Sequence, residues 1–143
     1  MSNSTVTKLC VLILALLLVN GCLDPLGKGP SDEKLIKATM TEWKAANKAK
    51  DVDRIMDTIS ENYVSFMGGG KQSMRDFLTG AIDRGFMDNV EINIKDAEIT
   101  IEDDKAKFGP VEFIGERGPF ALYYKLQKEG NKWLIIGVER PEQ

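Results

Sequence analysis

The stretch that decides the fold is LYYKLQKEGNKWLI, residues 122–135, near the carboxyl end of the chain. Two runs of aromatic and aliphatic residues flank Glu129-Gly130-Asn131, and a short glycine-containing turn between such runs is typical of a β-hairpin. The pattern predicts strands over 120–127 and 132–138. Residues 133–136 are apolar on both alternating faces, whereas a strand with one solvated face should alternate. We therefore expect both faces of this sheet to be covered, the outer one most simply by a second copy of the protein.

The same period of two extends upstream of this hairpin. Apolar residues alternate with polar ones over 90–101, which predicts a strand that ends at a turn formed by Asp103-Asp104. The return strand is predicted over 106–113, and Gly109-Pro110 in its middle indicates a bulge or bend. Together with the last hairpin, these segments predict four antiparallel strands.

Before residue 90 the apolar residues repeat at helical spacing instead. Ser31 predicts the N-cap of a long helix, and Asp51 predicts the start of a second, shorter one. A brief strand is predicted over 63–67. After a glycine triplet, Ser73 and Asp76 have the spacing of a capping box and predict a third helix.

This arrangement resembles the nuclear transport factor 2-like superfamily, which includes polyketide-cyclase-like and ketosteroid-isomerase-like proteins. The resemblance runs from Ser31 to about Arg140 and rests on the order of the features: Trp43 in the first helix, an Asp opening the second, a glycine-rich entry to the third, and the final hairpin. It implies an α+β fold with a cone-shaped, curved antiparallel sheet wrapped around the N-terminal helices. It also implies an apolar cavity and a homodimer formed through the sheet. Since this fold serves enzymes, ligand binders and scaffolds, it leaves the function open.

The amino terminus predicts where the protein is located. A lysine at position 8 precedes the eleven apolar residues 9–19, too few for a membrane-spanning helix of about 20 residues but typical of an export signal. The following Val19-Asn20-Gly21-Cys22 resembles the lipobox of bacterial lipoproteins, in which the cysteine carries lipid. We therefore expect a lipid-anchored protein in the cell membrane or outer membrane, facing the periplasm or the cell exterior.

This prediction divides the chain into three parts. Residues 1–21 form a lipoprotein signal peptide, residues 22–30 a lipidated tether with two prolines and two glycines, and residues 31–143 one nuclear transport factor 2-like domain. Nine tether residues reach at most about 30 Å when extended. The domain is therefore expected close to the membrane surface.

The composition excludes several kinds of chemistry and partner. The sequence has no histidine, and its two cysteines, Cys10 and Cys22, lie in the predicted signal and at the predicted acylation site. Thiol, Ser-His and Cys-His catalysis are thus excluded from the folded domain, and the commonest ligand of zinc is missing. The formal net charge is −3, so we expect no nucleic-acid partner. We predict no metal and no cofactor.

Four residues are candidates for contact with a ligand: Trp43 in the first helix, Tyr63 in the short strand, Arg117 in a glycine-flanked loop, and Tyr124 in the last hairpin. Each has a simpler alternative, since buried aromatic residues usually belong to the core and an exposed arginine is usually only solvated. A tyrosine hydroxyl can polarise a carbonyl group, and an arginine in such a loop can contact an anion.

The resemblance also implies where an enzyme would hold its base. In the isomerase-like members a carboxylate lies just after the short first strand, which corresponds here to Ser65 and Phe66, and neither is acidic. This departure argues against catalysis, and we predict no catalytic residue.

Three hypotheses follow from the sequence. The first is a non-catalytic envelope lipoprotein that binds a small apolar ligand or a protein partner. The second is an isomerase, cyclase or dehydratase acting on a hydrophobic carbonyl compound, which requires a carboxylate in the interior. The third is a pure assembly or scaffold module whose interior is filled by its own side chains.

Overall fold

A computed structural model describes residues 29–142 of the chain. The predicted signal peptide, Cys22 and nearly all of the predicted tether lie outside this range. No helix among the described residues is long and apolar enough to cross a membrane. The elements follow one another in the order α1 (Asp32–Ala49), α2 (Val52–Asp57), β1 (Ile59–Val64), α3 (Lys71–Asp83), β2 (Glu91–Asn93), β3 (Glu98–Glu102), β4 (Lys105–Ile114), β5 (Phe120–Glu129) and β6 (Lys132–Glu139).

The strands form one curved sheet. Its order is β1-β6-β5-β4, and β2 and β3 both pair with β4 at the far edge. The predicted α+β class, with N-terminal helices and a curved sheet, is confirmed. One edge departs from the antiparallel pattern, because β1 runs parallel to β6. The side-chain pattern of a strand carries no information about the direction of its neighbour, so the sequence did not predict this.

The bulge predicted at Gly109-Pro110 is confirmed. The pairing of β4 with β5 shifts register between Phe108 and Val111. At Gly109 the backbone has φ 154°, and an added Cβ would lie 2.7 Å from Cδ1 of Tyr123. Only glycine fits there, and the irregularity bends β4 and adds to the curvature of the sheet.

Two predicted helix starts are confirmed and one is wrong. Ser31 caps α1 by accepting a backbone amide at 3.3 Å, and Asp51 caps α2 in the same way at 3.1 Å. The predicted capping box of Ser73 and Asp76 does not form. Helix α3 begins two residues before Ser73, with Gly70 as a cap that makes no side-chain bond.

The short strand also lies earlier than predicted, at Ile59–Val64 instead of 63–67. The Ser65 amide donates to the Gly69 carbonyl and the Gly68 amide donates to the Ser65 carbonyl, both at 2.9 Å. These bonds close a turn directly after β1. The chain therefore turns where the sequence pattern suggested that the strand continued.

Helix α1 packs on the inner face of the sheet, the face that carries the core. The helix contributes a buried stripe of Ile36, Met40, Trp43 and Ala46, which confirms the predicted helical spacing. Alternate residues of the strands complete the core, among them Phe108, Val111, Tyr124, Leu126, Trp133 and Ile135.

The amino end of α1 is fixed to the tip of the last hairpin by a contact that we call the Asp32 clamp, made of Asp32, Lys128 and Trp133. The Asp32 carboxylate accepts a hydrogen bond from Trp133 Nε1 at 3.0 Å and pairs with Lys128 Nζ at 2.8 Å. The hydrogen bond from Lys128, and after it that from Trp133, hold the pKa of Asp32 below its ordinary value. Thr39 Oγ1 also donates to the Trp133 carbonyl at 2.8 Å.

The outer face of the sheet mixes apolar and charged groups. Leu134 and Ile136 are half-buried in the single chain. Lys107 and Lys125 both pair with Glu139. The homodimer through the sheet stays a prediction.

Candidate functional site

Three of the four candidate residues come together in the interior. Tyr63 of β1 and Tyr124 of β5 are 2% and 5% exposed. The ring of Trp43, from α1, lies 4.7 Å from that of Tyr124 at a tilt of 57°. A strand at the sheet edge, a strand at its centre and the longest helix thus converge on one aromatic cluster.

The Tyr63 hydroxyl is unusual in this cluster. Among the residues that the structure describes, it is a buried side-chain oxygen with no hydrogen-bond partner. Burial raises the pKa of Tyr63, and the neighbouring Ser65 side chain opposes part of that rise. The phenol therefore stays protonated near neutral pH and remains a free donor.

Tyr124 is the second phenol of the cluster. Burial raises its pKa well above the ordinary value, and the nearby Tyr63 raises it further. Neither phenol ionises near neutral pH, so the pair presents O–H groups and no negative charge to the interior. Such a pair can hold an acceptor, but it cannot act as a base at neutral pH.

A row of aromatic contacts joins this interior to the surface. Trp43 meets the edge of the Phe113 ring at 6.1 Å and 81°, and Phe113 stacks on Phe120 at 4.7 Å and 1°. Phe120 is 55% exposed. Neither phenylalanine was among the candidates taken from the sequence, although Phe113 lies next to the last residue of β4 and pairs with Phe120, the first residue of β5.

Arg117, the fourth candidate, does not join the interior. It lies in the loop of residues 115–119, with its guanidinium carbon 4.7 Å from the ring centre of Phe86. The guanidinium of Arg84 lies 5.4 Å from the same ring. Sequence reasoning overlooked Arg84 and Phe86, because nothing in the sequence indicated that the segment after α3 meets this loop.

Comparison with known proteins gives the fold a name. No protein-family model matches the sequence, and no curated protein matches it either. Solved structures do match. A protein of unknown function with a cystatin-like fold from Nostoc punctiforme is 16% identical, with a TM-score of 0.63 over 79% of this chain and 93% of the other.

Two further matches are NTF2-like proteins of unknown function, both 14% identical with a TM-score of 0.58. The one from Shewanella oneidensis is matched over 76% of this chain and 97% of its own, and the one from Pseudomonas putida over 77% and 87%. This chain has the NTF2-like fold. At such identities the likeness concerns the fold alone, and these three neighbours are themselves of unknown function.

The interior of this NTF2-like domain contains few polar side chains. The buried polar residues of the described range are Asn47, Thr58 and Ser60, and no buried charged residue is found among them. Asn47 donates to the Trp43 carbonyl at 2.8 Å, Thr58 donates to the Ile55 carbonyl at 2.7 Å, and Ser60 bonds to Glu129. Within the same range no group of metal-binding side chains occurs.

The domain also carries two surface depressions of about 280 Å³ each. One lies beside the loop of residues 115–119 and is lined by Glu112, Ile114, Pro119, Phe120 and Ala121. The other lies between α1 and the last hairpin, and its lining includes Thr39, Glu42, Lys132 and Trp133. Neither is lined by Trp43, Tyr63 or Tyr124, which pack inside the domain.

Proposed function

We propose that this protein is an envelope lipoprotein, anchored through lipid on Cys22, whose NTF2-like domain binds a small apolar molecule without transforming it. The observation that carries the binding part is the buried, unpartnered hydroxyl of Tyr63. A buried donor without an acceptor costs about 1–3 kcal/mol. An acceptor atom supplied by a ligand would offset that cost.

The surroundings of Tyr63 suggest the class of ligand. Tyr124 and Trp43 supply aromatic surface, and the described interior offers no charge to neutralise an ionic group. A small apolar molecule with one carbonyl or ether oxygen suits this environment. Because the ring centres of Trp43 and Tyr124 are only 4.7 Å apart, the ligand is small or displaces one of these rings.

Binding without catalysis is favoured by the missing base. An isomerase or dehydratase needs a group that removes a proton near neutral pH, and its pKa is usually tuned by burial. Among the described residues no carboxylate is buried. The position where isomerase-like proteins hold the base corresponds to Ser65 and Phe66.

The anchor rests on the sequence at residues 19–22 and on the position of the domain's first helix. The described chain starts at Gly29 and Pro30, both exposed, and enters α1 two residues later. Cys22→Ser is expected to move the protein from the membrane fraction to the soluble fraction. Mass spectrometry of protein extracted gently from membranes should find lipid on Cys22. A Cys22→Ser variant that stays with the membrane would contradict the anchor.

The ligand part is tested with acetophenone, a small aromatic ketone, and with ethylbenzene, which has a similar shape and no acceptor. Titrations followed by NMR shifts should give an affinity for the ketone that falls about fivefold in Tyr63→Phe. The affinity for ethylbenzene should not change. Tyr123→Phe, a neighbouring half-buried tyrosine on the outer face, is the matched control. Equal ketone affinity in Tyr63→Phe and wild type would overturn this proposal.

A further inference from the structure

A second group of residues, separate from the buried tyrosines, has the composition of an anion site. Arg84, Phe86 and Arg117, which we call the arginine cluster, come from two different loops. Both guanidinium carbons lie close to one ring, at 5.4 Å for Arg84 and 4.7 Å for Arg117. Two positive groups near one ring repel each other, and an anion bound by both would offset that repulsion.

The two arginines of the cluster form no ion pair within the described residues. Neither Arg84 nor Arg117 forms an ion pair with a carboxylate of the described chain, whereas Arg54 pairs with Glu42 and Arg75 with Asp53. The nearby Asp88 is already paired with Lys50. The cluster therefore holds two guanidinium groups with unused donors and with no ion pair to a carboxylate of the described range.

Arg84 is held in place by its own helix. Its Nε donates to the Gly80 carbonyl at 2.8 Å. A Cβ added at Gly80 would lie 2.8 Å from Arg84 Nη2, so the guanidinium occupies the space that a side chain at this position would fill. One hydrogen bond thus fixes the group and leaves its remaining N–H donors free.

Exposed apolar surface surrounds the charges. Phe86 is 50% exposed, and Ile114 and Phe120, which flank the loop of Arg117, are 45% and 55% exposed. The depression of about 280 Å³ beside this loop is walled largely by apolar residues. Its acidic member, Glu112, accepts a hydrogen bond from Asn93 at 2.9 Å.

We propose that the arginine cluster binds the oxyanion head of a soluble, single-chain amphiphile, whose apolar chain lies over Phe86 and along the depression next to Phe120. Planar guanidinium groups match the geometry of carboxylates and phosphates, and the exposed rings offer the chain an apolar surface. This site requires nothing from Tyr63. Its failure would leave the proposed interior site untouched.

The test uses decanoate as probe, below the concentration at which it forms micelles, and decanol as the neutral probe of equal chain length. Titration calorimetry is done on the full chain with Cys22→Ser in every sample, so that all samples are alike at the proposed acylation site. Decanoate affinity should fall about tenfold in Arg84→Gln and in Arg117→Gln, and binding should be lost in the double variant. Decanol should bind more weakly than decanoate and should be indifferent to these changes.

Arg140→Gln is the matched control, because the Arg140 guanidinium carbon lies 5.2 Å from the exposed ring of Phe66 and no other arginine of the described range lies over that ring. It should leave decanoate affinity unchanged. Tyr63→Phe should also leave it unchanged, which separates this test from that of the interior site.

Gly80→Ala sharpens the test, since it displaces the Arg84 guanidinium while keeping its charge. Alanine is the better helix former, so the variant should fold at least as well as the wild type. Decanoate affinity should nevertheless fall several-fold.

Three results would overturn the proposal: no decanoate binding by the wild type, equal decanoate affinity in the Arg84→Gln/Arg117→Gln double variant, or an equal loss in Arg140→Gln. Vesicles of phosphatidylglycerol and of phosphatidylcholine distinguish the source of the anion. Binding to the anionic vesicles without binding to decanoate would mean that the cluster recognises a membrane surface, which would also contradict the proposal.

Discussion

Trp133 and Tyr63 are two buried aromatic residues with a polar group, on the neighbouring strands β6 and β1, and the protein treats them in opposite ways. The Trp133 indole donates to Asp32, and the Trp133 carbonyl accepts from Thr39. The Tyr63 hydroxyl, at 2% exposure of its residue, has no partner among the described residues. At the Trp133 end of the inner face, which we call the completed end, the polar groups of this residue have hydrogen-bond partners. At the Tyr63 end, the incomplete end, the hydroxyl is a donor without an acceptor in the described range.

This contrast separates stability from binding. A tryptophan whose N–H is paired contributes its full packing and fixes the geometry around it. An unpaired phenol lowers the stability of the unliganded protein, and proteins tolerate such a cost at functional sites. Substitutions at the completed end, around Trp133, are therefore expected to change mainly the free energy of unfolding. Substitution of Tyr63 at the incomplete end is expected to change ligand affinity.

The largest effect should come from Trp133→Ala. It removes a fully buried side chain and leaves Asp32 without one of its donors, so the free energy of unfolding should fall by about 3–5 kcal/mol. Urea unfolding followed by circular dichroism measures it. A loss below about 1 kcal/mol would mean that the packing and hydrogen bonds of Trp133 contribute little to the stability of the fold.

Tyr63→Phe should act in the other direction. Without ligand it removes an unsatisfied donor and keeps the ring, so the free energy of unfolding should rise by about 1 kcal/mol. The same urea experiment, with Tyr123→Phe as control, checks this. A destabilised Tyr63→Phe protein would show that its hydroxyl has a partner in solution, which would remove the contrast with Trp133.

Thr39→Val probes a single hydrogen bond of the completed end. The side chain keeps its shape but no longer donates to the Trp133 carbonyl, and unfolding should require about 1 kcal/mol less. Thr79→Val is the control, because Thr79 also donates to a backbone carbonyl, that of Arg75, but is exposed. Equal losses of unfolding free energy in both variants would mean that the hydrogen bond to the Trp133 carbonyl stabilises the fold no more than an exposed one does.

The smallest effect should be that of Asp32→Asn, and it should depend on pH. The folded protein lowers the pKa of Asp32, so this carboxylate adds stability above the ordinary value of 3.8, and the gain disappears as the pH falls through the lower, folded value. Wild type should thus be more stable than Asp32→Asn at neutral pH, and the two should converge in acid. Thermal unfolding across this range measures the difference, with Glu33→Gln as the exposed control. A stability difference between wild type and Asp32→Asn that persists in acid would show that it does not come from the ionised Asp32 carboxylate.

Periodicity was sufficient for most of the fold. The stripe of α1, the caps at Ser31 and Asp51, the bulge at Gly109 and the final hairpin all follow from local spacing and from the conformations that individual residues prefer. The errors occurred where a tertiary contact or a turn decided the outcome. The parallel pairing of β1 depends on β6, about 70 residues away, and the start of α3 depends on the turn after β1.

The candidate site was predictable only in part. Trp43, Tyr63 and Tyr124 were identified because aromatic residues on inner faces stand out in the sequence, and the structure brings them together. The missing partner of the Tyr63 hydroxyl is a property of three-dimensional packing, and no spacing rule reveals it. Arg117 was identified without Arg84 and Phe86, because their meeting joins two loops whose sequences share no pattern.

The Asp32 clamp also has a mechanical consequence. Any tension on the chain at residues 29–31 reaches Asp32, which is tied to Lys128 and Trp133 at the tip of β5 and β6. Both strands have neighbours on either side in the sheet. A pull from the amino terminus is therefore shared by two interior strands instead of peeling α1 from its end, and this arrangement would suit the attachment through Cys22 that we propose.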